Sequence, residues 1–81
     1  MSKELFELLY NEIVARGSGV RTTIISIWLK TQGYVVETET QYVAMHDEYV
    51  ELTAVTRSDY GATRMYIPYD NVSHLAWTSR E

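Results

Sequence analysis

Hydrophobic positions along this chain change their period once, near residue 20. Before that point Leu5, Leu8, Leu9 and Ile13, flanked by Phe6 and Tyr10, recur at the three- and four-residue spacing of one helical face. Ser2 is placed to cap the helix, Glu4 and Glu7 suit the positive end of its dipole, and Arg16 suits the negative end. Gly17-Ser18-Gly19 should stop it, because glycine tolerates the left-handed cap conformation. The spacing predicts a helix over 3–16 whose apolar face must be covered by the rest of the chain.

From Val20 the period is two. Ile25, Ile27 and Leu29 fall on one face, and Ile24, Ser26, Trp28 and Lys30 on the other, which predicts a strand over 20–31. Gln32-Gly33 is a hairpin turn in which glycine supplies positive φ. The next strand, over 34–45, would reach about 40 Å if straight, too long for so small a domain, so it must bend, by a bulge. His46-Asp47-Glu48 turns the chain into a third strand over 49–56, with Val50, Leu52 and Ala54 on one face. A polar loop, Arg57 to Gly61, leads to a fourth strand over 62–67. Pro68-Tyr69-Asp70-Asn71 breaks that strand, a fifth runs over 72–77, and a polar tail frays from Thr78. The expected fold is mainly β: an N-terminal α-helix, then a five-stranded, strongly bent antiparallel open barrel, all in a single domain over 1–81.

Composition adds a stability problem. A chain of 81 residues sits where one core seldom suffices, and it has no cysteine to supply disulfides or thiolate ligands. Its two histidines cannot build a structural metal cage unaided, so no metal or cofactor is expected and a homo-oligomer is. Glu4, Glu7 and Glu12 interrupt the N-terminal apolar pattern, which argues against a signal peptide or membrane span and leaves a cytoplasmic location as the default. The net charge of −4 is the wrong sign for holding nucleic acid by a general basic field. Between Thr31 and Thr56 five acids (Glu37, Glu39, Asp47, Glu48, Glu51) occur with no lysine or arginine.

Two segments carry a family likeness. Ile27-Trp28-Leu29-Lys30-Thr31-Gln32-Gly33 with Ala44-Met45-His46-Asp47-Glu48-Tyr49-Val50-Glu51-Leu52 resembles the first motif of the Sm/LSm family, which includes bacterial Hfq. Tyr66-Ile67-Pro68-Tyr69-Asp70-Asn71-Val72-Ser73-His74-Leu75 resembles the second. The likeness spans roughly residues 22–77, and a leading helix is usual in the family. It implies an SH3-type barrel, a ring of several subunits, and single-stranded RNA bound by base stacking at the pore loops. It also implies a seam in which strand four of one subunit pairs with strand five of the next, here involving Met65, Ile67, Val72, Leu75 and Trp77. The departures fall at the RNA contacts. Glu51 stands at the family's asparagine, Pro68-Tyr69 at its Arg-Gly pair, Glu37-Thr38 around its mid-strand glycine, and the Tyr-Lys-His element of the Hfq branch has no counterpart.

Each candidate residue has a second, purely structural reading. Tyr49 would stack on a base by resemblance, or pack as a cross-strand aromatic beside its turn. Asp47 would orient the pocket loop, or close an Asx turn on its own backbone. Tyr69 could replace arginine's stacking surface but not its forked donors. Lys30, with Arg57 and Arg64, could reach phosphate or serve solubility. Glu37 and Glu39 share a strand face but lack any nucleophile or phosphate loop beside them, so acid–base chemistry is not expected and the chain does not read as an enzyme. Trp28 and Trp77 read as packing anchors, and His74 as a half-buried strand residue. The alternative to an RNA-binding ring is a homo-oligomer of the same fold that binds protein or serves as a structural part.

Overall fold

The computed structural model describes residues 1–17 and 22–80. Ser18, Gly19, Val20 and Arg21, predicted to end the helix and begin the first strand, lie outside the described residues, as does Glu81 of the predicted tail. The protein is mainly β, with one N-terminal helix and antiparallel sheets.

Helix α1 spans Lys3–Arg16, as the spacing predicts, and the Ser2 hydroxyl accepts the Leu5 N–H at 3.1 Å. The buried stripe is shifted from the expected one. Phe6, Tyr10 and Ile13, at i, i+4 and i+7, face the sheets, whereas Leu5 and Leu8 are exposed. The aromatic rings fill more of the space over the core than leucine would, and Phe6 meets the edge of Tyr69 at 5.5 Å. Gly17 caps the helix with right-handed φ −83°, so the expected left-handed glycine is not the reason for its presence. Space is: a Cβ there would collide with the Thr23 side chain.

Seven strands follow among the described residues: β1 (Thr22–Leu29), β2 (Val35–Glu39), β3 (Val43–Met45), β4 (Tyr49–Leu52), β5 (Arg57–Ser58), β6 (Met65–Pro68) and β7 (Val72–Arg80). One sheet has the order β5-β2-β1-β7 and the other β3-β4-β6. Ile25, Ile27 and Leu29, which share a face, are buried, and Ile24 and Ser26 on the opposite face are buried too. The β1–β2 hairpin turns at Gln32 and Gly33, both with positive φ (57° and 67°), the requirement of the tight turn that matches strand twist.

The single strand predicted over 34–45 is interrupted by a 3₁₀ turn, Thr40–Tyr42, rather than a bulge. The bend frees the Thr40 carbonyl from the ladder, and the Tyr10 hydroxyl of α1 donates to it at 2.8 Å. The strand predicted over 49–56 is broken likewise. Ala54 turns the chain at φ 50°, and the buried Thr38 hydroxyl donates to the Thr53 carbonyl at 2.9 Å. The two breaks lie side by side, joined by the Thr53 N–H to the Tyr42 carbonyl at 3.0 Å. Segments 35–45 and 49–58 therefore pass together from one sheet to the other, and part of the predicted polar loop becomes β5.

The fourth strand starts later than expected, at Met65, and keeps Pro68 as its last residue, which an edge strand permits. A second 3₁₀ turn, Tyr69–Asn71, leads into β7. β7 runs on through the predicted frayed tail because β1 offers it partners as far as Thr22, opposite Arg80. A bulge lies in the β1–β7 pairing, between Trp28 and Leu29.

Candidate interaction face

Period-two alternation divides sheet β3-β4-β6 into two faces. Val43, Val50, Leu52, Met65 and Ile67 point to the core, and Ala44, Tyr49, Glu51 and Tyr66 point away from it. Glu51 pairs with Tyr66 across β4–β6, and Tyr49 lies two residues along on the same face. Tyr49 is 37% exposed and Tyr66 57%. Their rings meet edge-on at 6.1 Å, and the His46 ring stacks on Tyr49 at 4.7 Å. His46 Nε2 also lies 3.0 Å from Glu51 Oε1. The result is a row of three rings with a carboxylate beside it.

A shallow groove of about 600 Å³ adjoins the row, lined by the start of α1, residues 47–49 and residues 68–70. Asp47, at the tip of the β3–β4 turn, receives a hydrogen bond from Lys3 Nζ at 3.2 Å while its side chain stays 99% exposed. That bond to Asp47, helped by the carboxylate's charge, raises the Lys3 pKa above the ordinary 10.5, against a smaller lowering by desolvation. The expected Asx turn at Asp47 gives way to this link to the helix.

Tyr69 is 4% exposed and offers no stacking surface. Its hydroxyl donates to the His46 carbonyl at 2.7 Å, tying the 69–71 turn to the β3–β4 turn, and burial raises the phenol pKa above the ordinary 10.0. Lys30 lies just past β1, its N–H bonded to the Asn71 carbonyl at 2.8 Å, and it is not one of the groove residues. The structure thus brings Tyr49 and Glu51 onto one face with Asp47 at its end, sets Tyr69 beneath, and leaves Lys30 aside. His46 and Tyr66 are members that the sequence reading did not single out for this face; extending the alternation from Tyr49 and Glu51 to their cross-strand neighbours would have found Tyr66.

Of the seam residues, Ile67 and Val72 are buried in the core, and Met65 and Leu75 are half-buried against it. Trp77 is 37% exposed. Trp28 stacks on His74, which is exposed, with centroids 5.3 Å apart. Glu37 accepts from the Ser26 hydroxyl at 3.0 Å, with Arg57 at 3.9 Å. No group of three His, Cys, Asp or Glu side chains among the described residues is arranged to hold a metal ion.

No protein-family model, curated protein or solved structure matches this chain.

Proposed function

We propose that this chain is the protomer of an Sm-like homo-oligomer that acts as a protein-interaction module. The observation that carries the reading is the free edge on each of β6 and β7, two of the four terminal strands of the sheets among the described residues. Among the described residues β6 pairs with β4 alone and β7 with β1 alone, so each keeps one unpaired side. Exposed edges must be covered or paired, and a heterologous pairing of β7 with the β6 of the next copy forms a ring when the rotation between copies closes. The five-stranded barrel of the resemblance would follow the same path if 35–45 and 49–58 were each counted as one bent strand. A core this small also gains from a partner surface.

Light scattering after size exclusion, at micromolar concentration, tests the assembly. Several subunits are expected for the parent chain and fewer for Trp77→Lys, which adds a charge beside the β7 edge at an exposed position. A monomeric parent chain refutes the reading. Ile67→Asp is unsuited to this test, since Ile67 is only 3% exposed and a charge there would unfold the subunit.

Single-stranded RNA at the same face is the second reading, favoured by the exposure of Tyr49. Against it, the ring is already stacked by His46 on one side, and Asp47, Glu48 and Asp70 line the adjoining groove. If a base does stack there, Tyr49→Ala should weaken binding of a random RNA pool by about 1–3 kcal/mol. Affinity should then fall only shallowly with salt, few phosphates being neutralised.

A further inference from the structure

Self-association through the strand edges leaves the outer face of β3-β4-β6 unused. Its centre is a corner: the Tyr49 and Tyr66 rings stand at 67° to one another, 6.1 Å apart. Glu51 lies directly across the strand pair from Tyr66, and His46 holds its Oε1 at 3.0 Å while the side chain remains 23% exposed. Asp47, Glu48 and Asp70 add exposed negative charge at one end. Lys3, which lines the neighbouring groove, is already paired with Asp47.

A cation is drawn to the face of an aromatic ring, and a guanidinium also lies flat on that ring while its fork engages a carboxylate. An ammonium gains the first attraction without the second. A phosphate meets repulsion from the Glu51, Asp47, Glu48 and Asp70 carboxylates here.

We infer that this face docks an arginine-bearing basic peptide, with the guanidinium stacked on Tyr66 against the Tyr49 wall and paired with the Glu51 carboxylate. The inference rests on the interaction-module reading for the class of partner, and not on the number of subunits. Complementary charge identifies the occupant: the chain carries −4, and Glu51, Asp47, Glu48 and Asp70 all lie on or beside this face.

The test is fluorescence anisotropy, titrating the full chain into a labelled hexa-arginine peptide, a hexa-lysine peptide and a uridine hexamer of RNA. The arginine peptide should bind more tightly than the lysine peptide, and both more tightly than the RNA. Tyr66→Ala should weaken arginine-peptide binding about two- to fivefold, and Tyr66→Phe should largely retain it. Glu51→Gln should weaken it about three- to tenfold. Glu12→Gln, which removes the same charge from exposed helix surface, should have little effect. Tyr66 is exposed and Glu51 lies on the outer face, and circular dichroism checks that each variant is folded. The proposal is overturned if Glu12→Gln weakens binding as much as Glu51→Gln while Tyr66→Ala changes nothing, because a diffuse acidic field would then account for the affinity. It is equally overturned if the peptides do not bind or the RNA binds best. A monomer that binds the peptide through Tyr66 and Glu51 would refute the assembly alone, and a multimer that ignores the peptide would refute the docking alone.

Discussion

Tyr69→Phe removes one oxygen and tests the join that holds the aromatic row in place. The Tyr69 hydroxyl donates to the His46 carbonyl at 2.7 Å from a residue only 4% exposed, so water does not freely replace it. A net hydrogen bond contributes about 1 kcal/mol, and a buried acceptor left without a partner costs about 1–3 kcal/mol. His46 is half-buried, so solvent recovers part of the acceptor's loss, and the expected destabilisation is about 1–2 kcal/mol. In a domain of this size that corresponds to a fall in Tm of about 4–16 °C. Tyr69→Leu also removes the ring that meets Phe6 edge-on, and should cost at least about 0.5–1.5 kcal/mol more. Thermal melts by circular dichroism provide the assay, at one fixed protein concentration because self-association would make Tm depend on it. A Tyr69→Phe protein melting within about 2 °C of the parent would refute the reasoning, since the hydroxyl would then not be holding the turn.

Ala54 adopts φ 50° at an exposed position, a conformation costing an L-residue about 1–2 kcal/mol, so Ala54→Gly should stabilise by about 0.5–1 kcal/mol after glycine's unfolded-state entropy is counted. Chemical denaturation measures it, and Ala54→Val should move the midpoint the other way. Thr38→Val keeps the shape but leaves the Thr53 carbonyl without its 2.9 Å donor, and should cost about 1–2 kcal/mol in the same assay. Burial raises the Tyr10 and Tyr69 phenols, and the Asp47 hydrogen bond raises Lys3. Each group therefore holds its proton more tightly when folded, so this stability is present below the unfolded pKa, near 10.0 for the phenols, and is lost as pH rises through the folded values. Denaturation midpoints followed from neutral into alkaline pH should fall above about pH 10, and less steeply in a Tyr10→Phe, Tyr69→Phe double variant.

Local signals made much of the fold legible. Ser2, Arg16 and the apolar spacing between them set the helix, and Gln32-Gly33 set the first hairpin, because capping and turn chemistry act over a few residues. The alternation in β1 was also readable. The helix face was misassigned because leucine and aromatic residues occupy neighbouring stripes, and only the Tyr69 ring beneath Phe6 decides which stripe is buried. The two strand breaks were expected in one case and missed in the other, since Tyr10 and Thr38 fix them from distant sequence positions. For the candidate face, Tyr49 and Glu51 follow from period two, whereas the burial of Tyr69 depends on contacts with α1 and His46 that no local pattern encodes.

The long pairing of β1 with β7 also bears on how the chain can fold. β1 ends at Leu29 and β7 begins at Val72, so the most extensive strand pair joins distant parts of the chain. Non-local contacts of this kind bear the full cost of closing a loop before they give anything back, which slows folding and leaves strands exposed in the interval. On the ribosome β1 emerges with β2 as its near neighbour and must wait for nearly everything between Tyr34 and Asn71 before its second partner exists. Ile24, Ile25 and Ile27, buried in the folded protein, would lack the cover of β7 during that wait. Crowded synthesis is therefore the condition in which this chain is most exposed to wrong pairing, and lowering temperature or expression rate should raise its soluble yield by shortening the queue of half-made sheets.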